Sequence, residues 1–466
     1  MSLNNLSKKS IGKLPLHIGD GNYSGKYPKA TDFIETGIPF ISASDFSEGR
    51  IKSDNFRFIS EQQHETLLKG QTKFGDVLVV TRGNGVGNVA WVDEEFNNCN
   101  LNAQLALLRS DEKEIHNKFL YYLLSSPKYK EILISYSSGS AQPQLPIRAL
   151  KLIELSFPEY DKQKSIAKIL SDLDDKIHLN NQINQTLESI AQAIFKSWFI
   201  DFEPVRAKIA AKQEGNDPEL AAMCAISGKS EVEIQQMSED DFAELQASAA
   251  LFPDELVESE LGEVPKGWEI SKISKIGKVI TGKTPSSKIE NSFAEKGTFF
   301  ITPTDIDTEV FVTNTNRYLS EHGEIAIKNS KVDEGSLCIT CIGSQMGKVV
   351  ITPKSAFTNQ QINSILLFNS TLRNYIFLNL RQRRDEIFLI GSGGSTMPII
   401  NKSTFESLNM ILPDLALIRK FDNFISPFFN NILSNSVENI ELKNMRDALL
   451  PELLAGKINV SMLKDM

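Results

Sequence analysis

Two short stretches contain residue types whose spacing could support catalysis or metal binding. Residues 277–284 read GKVITGKT, which fits the nucleotide phosphate-binding pattern G-x-x-x-x-G-K-[ST]. Cys338 and Cys341 have the C-x-x-C spacing of half a zinc site. Each pattern lacks what its chemistry requires, because Pro285 follows the first without helical periodicity and no second cysteine pair accompanies the other. We therefore expect neither nucleotide binding nor a metal site, and the sequence contains no other catalytic signature that would define a catalytic residue.

Polar residues in glycine-rich stretches are better candidates for binding. TRGNGVGN (residues 81–88) and CIGSQMGK (residues 341–348) combine side chains that can recognise bases with glycines that let a backbone approach closely. Arginine can bind guanine through two hydrogen bonds, and asparagine or glutamine can do so with adenine. We predict that these loops contact DNA, although a solvated hairpin would also be polar. The candidates are Arg82, Asn84, Asn88, Ser344, Gln345 and Lys348.

Further candidates lie in two other polar segments that occur in both halves of the chain. SSGSAQPQLP and GSGGSTMPII form one pair, and GKYP and GKTP form the other, where lysine and backbone N–H groups could contact phosphates. A basic cluster at Arg381, Arg383 and Arg384 fits either phosphate contact or a solvated helix face. The candidates in the paired segments are Lys26, Gln142, Gln144, Lys283, Ser287, Ser392 and Ser395.

The sequence repeats itself at an offset of about 260 residues. GIPFISASDF, from Gly37, corresponds to GTFFITPTDI, from Gly297, and the match continues for some fifty residues. The short runs IPFISA, VLVVT and NVAWV predict strands, and FLYYLLSSPKYKEIL (residues 119–133) predicts a helix. Three glycines keep one offset, since Gly75, Gly83 and Gly87 correspond to Gly335, Gly343 and Gly347. After a small deletion, Asn102 and Gln104 correspond to Asn359 and Gln361. The chain is a tandem duplication of roughly 200 residues.

Each half ends in a predicted long helix. Residues 163–199 contain no Gly or Pro, and apolar residues recur at three- and four-residue spacing, as they do 255 residues later. This pattern predicts a coiled-coil seam. The seam positions are Ile166, Leu170, Leu173, Ile177, Leu187, Ile190 and Ile194, with Phe421, Ile425, Phe428, Ile432, Leu442, Met445 and Leu449.

Four asparagines interrupt the apolar stripe at matching places: Asn180, Asn184, Asn435 and Asn439. A polar residue in a seam lowers stability but fixes register. If the helices pair antiparallel about a pseudo-two-fold axis, Asn180 and Asn435 should meet at its centre. The alternative is that the asparagines face solvent on separate amphipathic helices.

Charge is concentrated in one segment that is not duplicated. Between Arg206 and Glu260 there are 13 acidic and 4 basic residues, a difference of −9, which equals the net charge of the whole chain of 466 residues. Its sequence predicts short helices, as a solvated linker or as an element that docks a partner. No apolar run reaches the roughly 18 residues of a membrane span, and the N-terminus lacks a secretory signal. We expect a cytoplasmic protein without a membrane association.

Antiparallel helices would explain the chain order. The first helix would carry the chain from the first globular part to the second, and the second helix would bring it back to the first. A helix of about 34 residues, at roughly 1.5 Å per residue, spans on the order of 50 Å. This geometry suits a split DNA site, whose half-sites on one face of the duplex lie about 34 Å apart or at multiples of that distance.

Taken together, these motifs resemble the specificity (S) subunit of type I restriction-modification systems. GKTPSS, GTFFITPTD, CIGSQMGKV and GSAQPQLP carry the resemblance, and WFIDFEPVRAKIAAKQEG is similar to members with an extension between the repeats. The resemblance implies a mixed α+β fold in which two pseudo-symmetric globular target-recognition domains are separated by two long antiparallel coiled-coil helices. The expected divisions are target-recognition domain 1 (1–160), a central spacer helix (161–203), an acidic helical inter-repeat segment (204–262), target-recognition domain 2 (263–415) and a distal spacer helix (416–460).

The resemblance also implies the function. A member of this family is a non-catalytic subunit that binds a bipartite asymmetric site in double-stranded DNA, with one domain for each half-site. It docks two modification (methyltransferase) subunits, and restriction subunits with translocase and nuclease activity join them. No cofactor is expected in this chain, whereas S-adenosylmethionine, ATP and Mg are expected on the partners.

One departure from the family lies before the helices. PEYDKQ (158–163) and PDLALIRK (413–420) stand where P-L-x-E-Q often occurs, so the resemblance does not extend to this part of the partner surface. The alternative function is a duplicated protein–protein scaffold without a role on DNA.

Overall fold

A computed structural model of the chain describes residues 6–51, 56–139, 142–393 and 398–458. The chain divides into two compact units. Unit 1 comprises residues 1–178 and 440–466, and unit 2 comprises residues 179–439. Each unit combines mainly antiparallel sheets with helices, which confirms the predicted mixed α+β class.

The described strands of unit 1 form three sheets, of two, four and six strands. Leu16–Asp20, Leu105–Ser110, Val77–Val80 and Val89–Trp91 are consecutive neighbours in the largest sheet, and each adjacent pair is antiparallel. The other strands are Ser7–Ser10, Phe33–Ile34, Ile38–Ile41, Phe46–Ser47, Arg50–Ile51, Arg57–Ile59, Asn100–Leu101 and Glu154–Phe157. The α-helices before the long helix are Glu61–Thr66, Asn117–Ser125, Pro127–Ser135 and Ile147–Leu150.

Unit 2 repeats this strand order. Gly277–Thr281, Ile362–Leu367, Leu337–Thr340 and Val349–Ile351 are consecutive antiparallel neighbours in a four-stranded sheet. The other strands are Leu256–Ser259, Gly262–Pro265, Glu269–Lys272, Phe293–Ala294, Thr298–Ile301, Tyr318–Leu319, Lys331–Val332, Ala356–Thr358 and Asn409–Leu412. The α-helices are Glu203–Glu214, Pro218–Ser227, Glu231–Gln235, Glu239–Ala249, Ile273–Ile276, Glu321–Ala326, Arg373–Gln382, Arg384–Ser392 and Lys402–Glu406.

The central strand Val77–Val80 is apolar throughout because both of its faces are covered. Val77 and Val79 lie in one hydrophobic core, and Leu78 and Val80 lie in another. Side chains alternate between the faces of a strand, so a continuous run such as VLVV fills two cores at once. The predicted strands in IPFISA, VLVVT and NVAWV are confirmed.

The single helix expected in FLYYLLSSPKYKEIL is wrong. The stretch contains two helices, Asn117–Ser125 and Pro127–Ser135, with Ser126 extended between them. The residue before a proline avoids helical backbone angles, and proline itself fits the first turn of a new helix.

The two long helices are Tyr160–Phe199 and Leu415–Leu454. We call them the central and the distal helix. In unit 1, Leu170 shares a core with Leu450, and Asp174 accepts a hydrogen bond from Arg446 at 2.8 Å. In unit 2, residues 180–184 of the central helix contact residues 432–439 of the distal helix in antiparallel order. Each unit therefore contains an antiparallel pair of helical segments.

Two of the predicted seam positions are wrong. Ile190 and Met445 are 40% and 52% exposed, whereas Ala191 and Phe195 on the central helix are buried. A straight helix has 3.6 residues per turn, so its apolar face drifts away from a fixed heptad pattern. Residues 179–199 of the central helix therefore pack within unit 2 through the face that carries Ala191 and Phe195.

The acidic segment between the repeats is folded and is not a solvated linker. Three of its four helices, Pro218–Ser227, Glu231–Gln235 and Glu239–Ala249, share a small core around Met223 and Ile234, and the first, Glu203–Glu214, buries Val205 in the main core of unit 2. Lys208 is buried and donates hydrogen bonds to Glu219 and to the carbonyl oxygen of Phe252, both at 2.8 Å. In the described part of the chain, no helix is both long and apolar enough to cross a membrane.

Candidate nucleic-acid interface

In unit 1, the first glycine-rich loop joins two neighbouring strands of the central sheet. Gly83 and Gly87 have φ angles of +87° and +89°, a region that side-chain-bearing residues rarely adopt. The backbone N–H of Gly87 donates to Val80, and Val80 donates to Asn88, which closes the loop. Arg82 and Asn84 are consequently exposed on a fixed backbone.

The equivalent loop of unit 2 has the same backbone. Gly343 and Gly347 have φ angles of +88° and +86°, and the N–H of Gly347 donates to Thr340 at 2.8 Å. Ser344 and Gln345 are exposed where unit 1 has Asn84 and Gly85. Position 342, which corresponds to Arg82, is isoleucine.

In each unit, two other loops are joined to the glycine-rich loop by hydrogen bonds between backbone atoms. In unit 1, Thr81 donates to the carbonyl of Gln104, Gly83 donates to Pro143, and Leu145 donates to Thr81. In unit 2, Cys341 donates to Gln361, Gly343 donates to Pro398, and Ile400 donates to Cys341. We call residues 81–88, 102–104 and 142–146, with their equivalents 341–348, 359–361 and 398–401, the three-loop clusters.

The unit 1 cluster brings several predicted residues together. Asp20, Arg82, Ala103 and Gln144 line one small cleft of about 80 Å³. The backbones of Arg82 and Gln144 form a β-bridge, and the side chains of Gln142 and Gln144 are exposed.

The turns at residues 102–104 and 359–361 were not among the predicted DNA contacts. Gln104 is exposed beside the glycine-rich loop, and Gln360 is exposed and accepts a hydrogen bond from the Thr284 hydroxyl at 2.8 Å. The sequence signal for these turns is the Asn-x-Gln pattern, which is repeated in both halves as Asn102 with Gln104 and Asn359 with Gln361.

Other predicted residues lie elsewhere or are already engaged. Asn88 lines a cleft of about 550 Å³ in unit 1 together with Tyr121, Asp174 and Arg446. Lys348 forms an ion pair with Asp307 at 2.7 Å, and its side chain is 16% exposed.

The Ser392 hydroxyl donates to the carbonyl oxygen of Phe388 within its own helix. Ser395 lies outside the described residues.

The pattern GKVITGKT does not have the geometry of a phosphate-binding loop. Gly277–Thr281 is a strand, and no helix begins within Lys283–Ser287. A Cβ at Gly282 would lie 2.2 Å from the carbonyl oxygen of Asn359, so glycine is required here for close packing against the turn of the cluster. Lys283 and Ser287 are exposed.

The alignment of GKTP with GKYP is wrong at its glycine. In unit 1 it is Gly21 whose Cβ would lie 2.1 Å from the carbonyl oxygen of Asn102, whereas a Cβ at Gly25 would have nothing within 4 Å. Asn22 therefore corresponds to Lys283. Lys26 is exposed in a separate 3-10 turn, where its carbonyl oxygen accepts a hydrogen bond from Gln63.

Two arginines of the basic cluster have intramolecular partners. Arg381 forms an ion pair with Glu188 at 2.9 Å, and Arg383 binds Glu386 and the carbonyl oxygen of Asn409. Arg384 is exposed. A solvated helix face therefore does not describe the whole cluster, because Arg381 and Arg383 connect their helices to other parts of unit 2.

The cysteines at 338 and 341 belong to different hydrophobic cores. Burial raises the pKa of the Cys338 thiol to about 12 and that of the Cys341 thiol to about 11. The alternation of side chains along the strand directs them apart. Together they do not form half of a metal site.

The four asparagines form two hydrogen-bonded pairs across the helices. Asn180 donates to Asn439 at 2.9 Å, and Asn435 donates to Asn184 at 2.9 Å. The predicted meeting of Asn180 with Asn435 is wrong. The repeat relates Asn180 to Asn435 and Asn184 to Asn439, so it converts one hydrogen-bonded pair into the other and does not relate the two members of one pair. Asn180 and Asn439 are buried, so the solvent-facing alternative is also wrong.

Comparison with known proteins places the chain beside one family. Residues 19–189 and 265–444 match the sequence model of the type I restriction modification DNA specificity domain. The type I restriction enzyme HindI specificity subunit of Haemophilus influenzae is 37% identical over 457 residues, which cover 94% of this chain and 98% of that protein. The MjaIX specificity subunit of Methanocaldococcus jannaschii is 28% identical over 356 residues, which cover 74% of this chain and 70% of that protein.

A solved structure has the same fold. The type I restriction-modification S subunit from M. genitalium superposes with a TM-score of 0.55 and 15% identity, over 97% of this chain and 98% of that one. The likeness covers both repeats and both long helices.

Proposed function

This chain belongs to the type I restriction-modification DNA specificity family, and on that premise we propose that it selects a bipartite, asymmetric sequence in double-stranded DNA. Each three-loop cluster binds one half-site. The chain is a specificity subunit and the non-catalytic component of its system, since the enzymatic activities belong to partner subunits. The central and distal helices dock two methyltransferase subunits, and restriction subunits join the assembly. S-adenosylmethionine, ATP and Mg are bound by those partners.

The observation that carries this proposal is the repeated cluster with unlike exposed side chains. The backbone hydrogen bonds of the cluster are the same in both units, whereas its exposed positions differ. The differences include Arg82 against Ile342, Asn84 against Ser344, and Ala103 against Gln360. A shared framework with different side chains supports recognition of two different half-sites, because bases are distinguished by side-chain donors, acceptors and apolar contacts.

The side chains suggest a division of labour. Arg82 and Asn84 of unit 1, and Ser344 and Gln345 of unit 2, extend from rigid backbone and are suited to base edges. Exposed residues outside the clusters, including Lys26, Lys283 and Ser287, are suited to phosphates, which position the duplex without specifying its sequence.

Methylation mapping tests the proposal directly. DNA from cells that express the chain with a cognate methyltransferase subunit is sequenced by a long-read method that detects methylated adenine, against cells lacking only this chain. We expect a split motif with a fixed spacer in the first sample alone. An assembled complex that produces no motif would favour the duplicated scaffold without a DNA role.

Salt dependence separates the two functions in purified material. Binding to DNA releases counterions, so the affinity should fall steeply between about 50 and 200 mM salt. A protein–protein scaffold would show no such dependence for a DNA duplex, because it would not bind one.

Exchange of one recognition unit tests the assignment of half-sites. Replacement of residues 297–413 by the equivalent segment of a relative should change one half of the methylated motif. The other half of the motif, and the assembly of the chain with its partner subunits, should be unchanged. A change in both halves would contradict the assignment of one cluster to each half-site.

A further inference from the structure

The Asn-x-Gln turn of unit 1 holds its glutamine in a fixed orientation. The backbone N–H of Gln104 donates to Asn102 Oδ1 at 2.9 Å, and Asn102 Nδ2 donates to Gln104 Oε1 at 3.2 Å. A backbone N–H can only donate, so the first bond identifies Asn102 Oδ1 as the oxygen, and the second then identifies Gln104 Oε1. Gln104 is exposed, so its Nε2 group remains available as a donor to an external acceptor.

The same arrangement recurs in unit 2. Gln361 N donates to Asn359 Oδ1 and Asn359 Nδ2 donates to Gln361 Oε1, both at 3.0 Å. Asn102 and Asn359 are buried, Gln104 is exposed and Gln361 is half-buried. We call these two motifs the Asn–Gln clasps.

The clasps are attached to the predicted DNA-binding loops. The carbonyl of Gln104 accepts hydrogen bonds from both the N–H and the hydroxyl of Thr81, at 2.7 and 3.0 Å. Gln104 Nε2 lies 4.0 Å from the place that a Cβ on Gly83 would occupy. Each available N–H group is therefore positioned by the same loop that carries the variable side chains.

We propose that Gln104 and Gln361 donate hydrogen bonds to DNA phosphate oxygens at equivalent positions of the two half-sites, which deepens and rests on the proposed function. The clasps have the same residues and hydrogen bonds in the two units, whereas neighbouring positions differ, so they fit a feature that both half-sites share. Every half-site has backbone phosphates, whatever its sequence.

The chemistry of the clasp supports phosphate over a base. Recognition of adenine by glutamine uses both the amide oxygen and the amide nitrogen. Here Oε1 is already bonded within the clasp and Nε2 is the available group, so the glutamine presents hydrogen-bond donors. The nearby carboxylate of Asp20 forms an ion pair with Lys69 at 3.2 Å, which offsets its negative charge next to a phosphate.

The substitution Gln104→Glu tests the assignment with little change to the clasp. A glutamate keeps an oxygen to accept the hydrogen bond from Asn102, but it replaces the available N–H donors with a negative oxygen. Gln213→Glu is the matched control, because Gln213 is exposed on the inter-repeat helix and the substitution changes the net charge equally. The variants are prepared as full chains assembled with the methyltransferase subunits.

Affinity is measured for a duplex that contains the mapped motif and for one that does not. We expect Gln104→Glu to weaken both by about 10-fold or more, since a hydrogen bond to a charged group is lost and repulsion is added. Gln213→Glu should match the wild type, and the mapped motif should be unchanged in the Gln104→Glu complex. Gln361→Glu should behave like Gln104→Glu.

A chemical change in the DNA provides the second measurement. Each phosphate of the half-site is replaced in turn by a neutral methylphosphonate. At one position the replacement should weaken binding of the wild-type complex. At that position Gln104→Glu should cause no further loss of affinity, because the phosphate charge that repels the glutamate is absent. This result would also show that the variant is correctly folded.

Three outcomes would overturn the inference. They are an unchanged affinity for Gln104→Glu, a methylation motif altered at one base pair, or a defect that no methylphosphonate position suppresses. A wild-type complex that does not bind its mapped motif would instead contradict the proposed function itself.

Discussion

Removal of the amide of Asn180 should destabilise the helix pair of unit 2 by an amount that the structure allows us to estimate. Its Nδ2 donates to Asn439 Oδ1 at 2.9 Å and to Glu438 Oε2 at 2.7 Å. A neutral buried hydrogen bond contributes about 1 kcal/mol and one to a charged group about 1.5–3 kcal/mol. Glu438 is partly exposed, so we expect Asn180→Ala to cost about 2–4 kcal/mol.

The effect is measured by native-state hydrogen exchange on peptides from residues 179–199 and 415–439. A loss of 2–4 kcal/mol corresponds to an increase in the exchange rate of about 30- to 900-fold for amides that open with this helix pair. Gln185→Ala is the matched control, because Gln185 is exposed on the same helix. It should change exchange by less than about 0.5 kcal/mol.

A double substitution distinguishes the hydrogen bond from simple loss of packing. Asn180→Leu alone leaves the amide of Asn439 facing an apolar side chain, whereas Asn180→Leu with Asn439→Leu makes an apolar pair. The double variant should therefore be less destabilised than the sum of the single variants by about 1 kcal/mol or more. Additive effects, or Asn180→Ala behaving like Gln185→Ala, would refute the reasoning.

Three further perturbations test other parts of the molecule. Gly282→Ala should lower the stability of unit 2 by about 1–3 kcal/mol in thermal unfolding, because the added methyl group meets backbone at 2.2 Å, while Gly25→Ala, with open space around it, should not. Arg82→Ala should relax the methylated motif at one position of one half-site, because binding to the preferred base there loses about 1–3 kcal/mol of free energy. Changes in both halves of the motif would contradict this prediction. Lys208→Met should make the inter-repeat helices markedly more sensitive to limited proteolysis, because Lys208 is buried. Lys212→Met, which removes an exposed ion pair, should have little effect. Equal sensitivity of the two variants would argue against an anchoring role for Lys208.

The alignment of the repeats also shows where a local match misleads. GKTP and GKYP look equivalent in the sequence, yet the glycine that packs against the Asn-x-Gln turn in unit 1 is Gly21. The loop after it is longer in the first half than in the second. A short sequence match cannot distinguish a glycine needed for close backbone contact from one in an open turn, because that requirement comes from the neighbouring chain segment.

The sequence by itself determined the duplication, the mixed α+β class, the two long helices and the family. These features depend on local patterns, namely hydrophobic periodicity and glycines that require unusual backbone angles, and such patterns are legible along a single chain. The same glycines, Gly83 with Gly343 and Gly87 with Gly347, have nearly the same φ angles in the structure.

Only the tertiary structure decided which distant residues meet. The sheet order brings residues 81–88, 102–104 and 142–146 together, so Gln104 lies beside the glycine-rich loop, whereas Asn88 lines a different cleft from Arg82. Helix packing likewise decided that Asn180 pairs with Asn439. The physical reason is that the register between segments depends on the side chains packed between them, so a one-turn shift leaves each local pattern intact while it changes every contact across the pair.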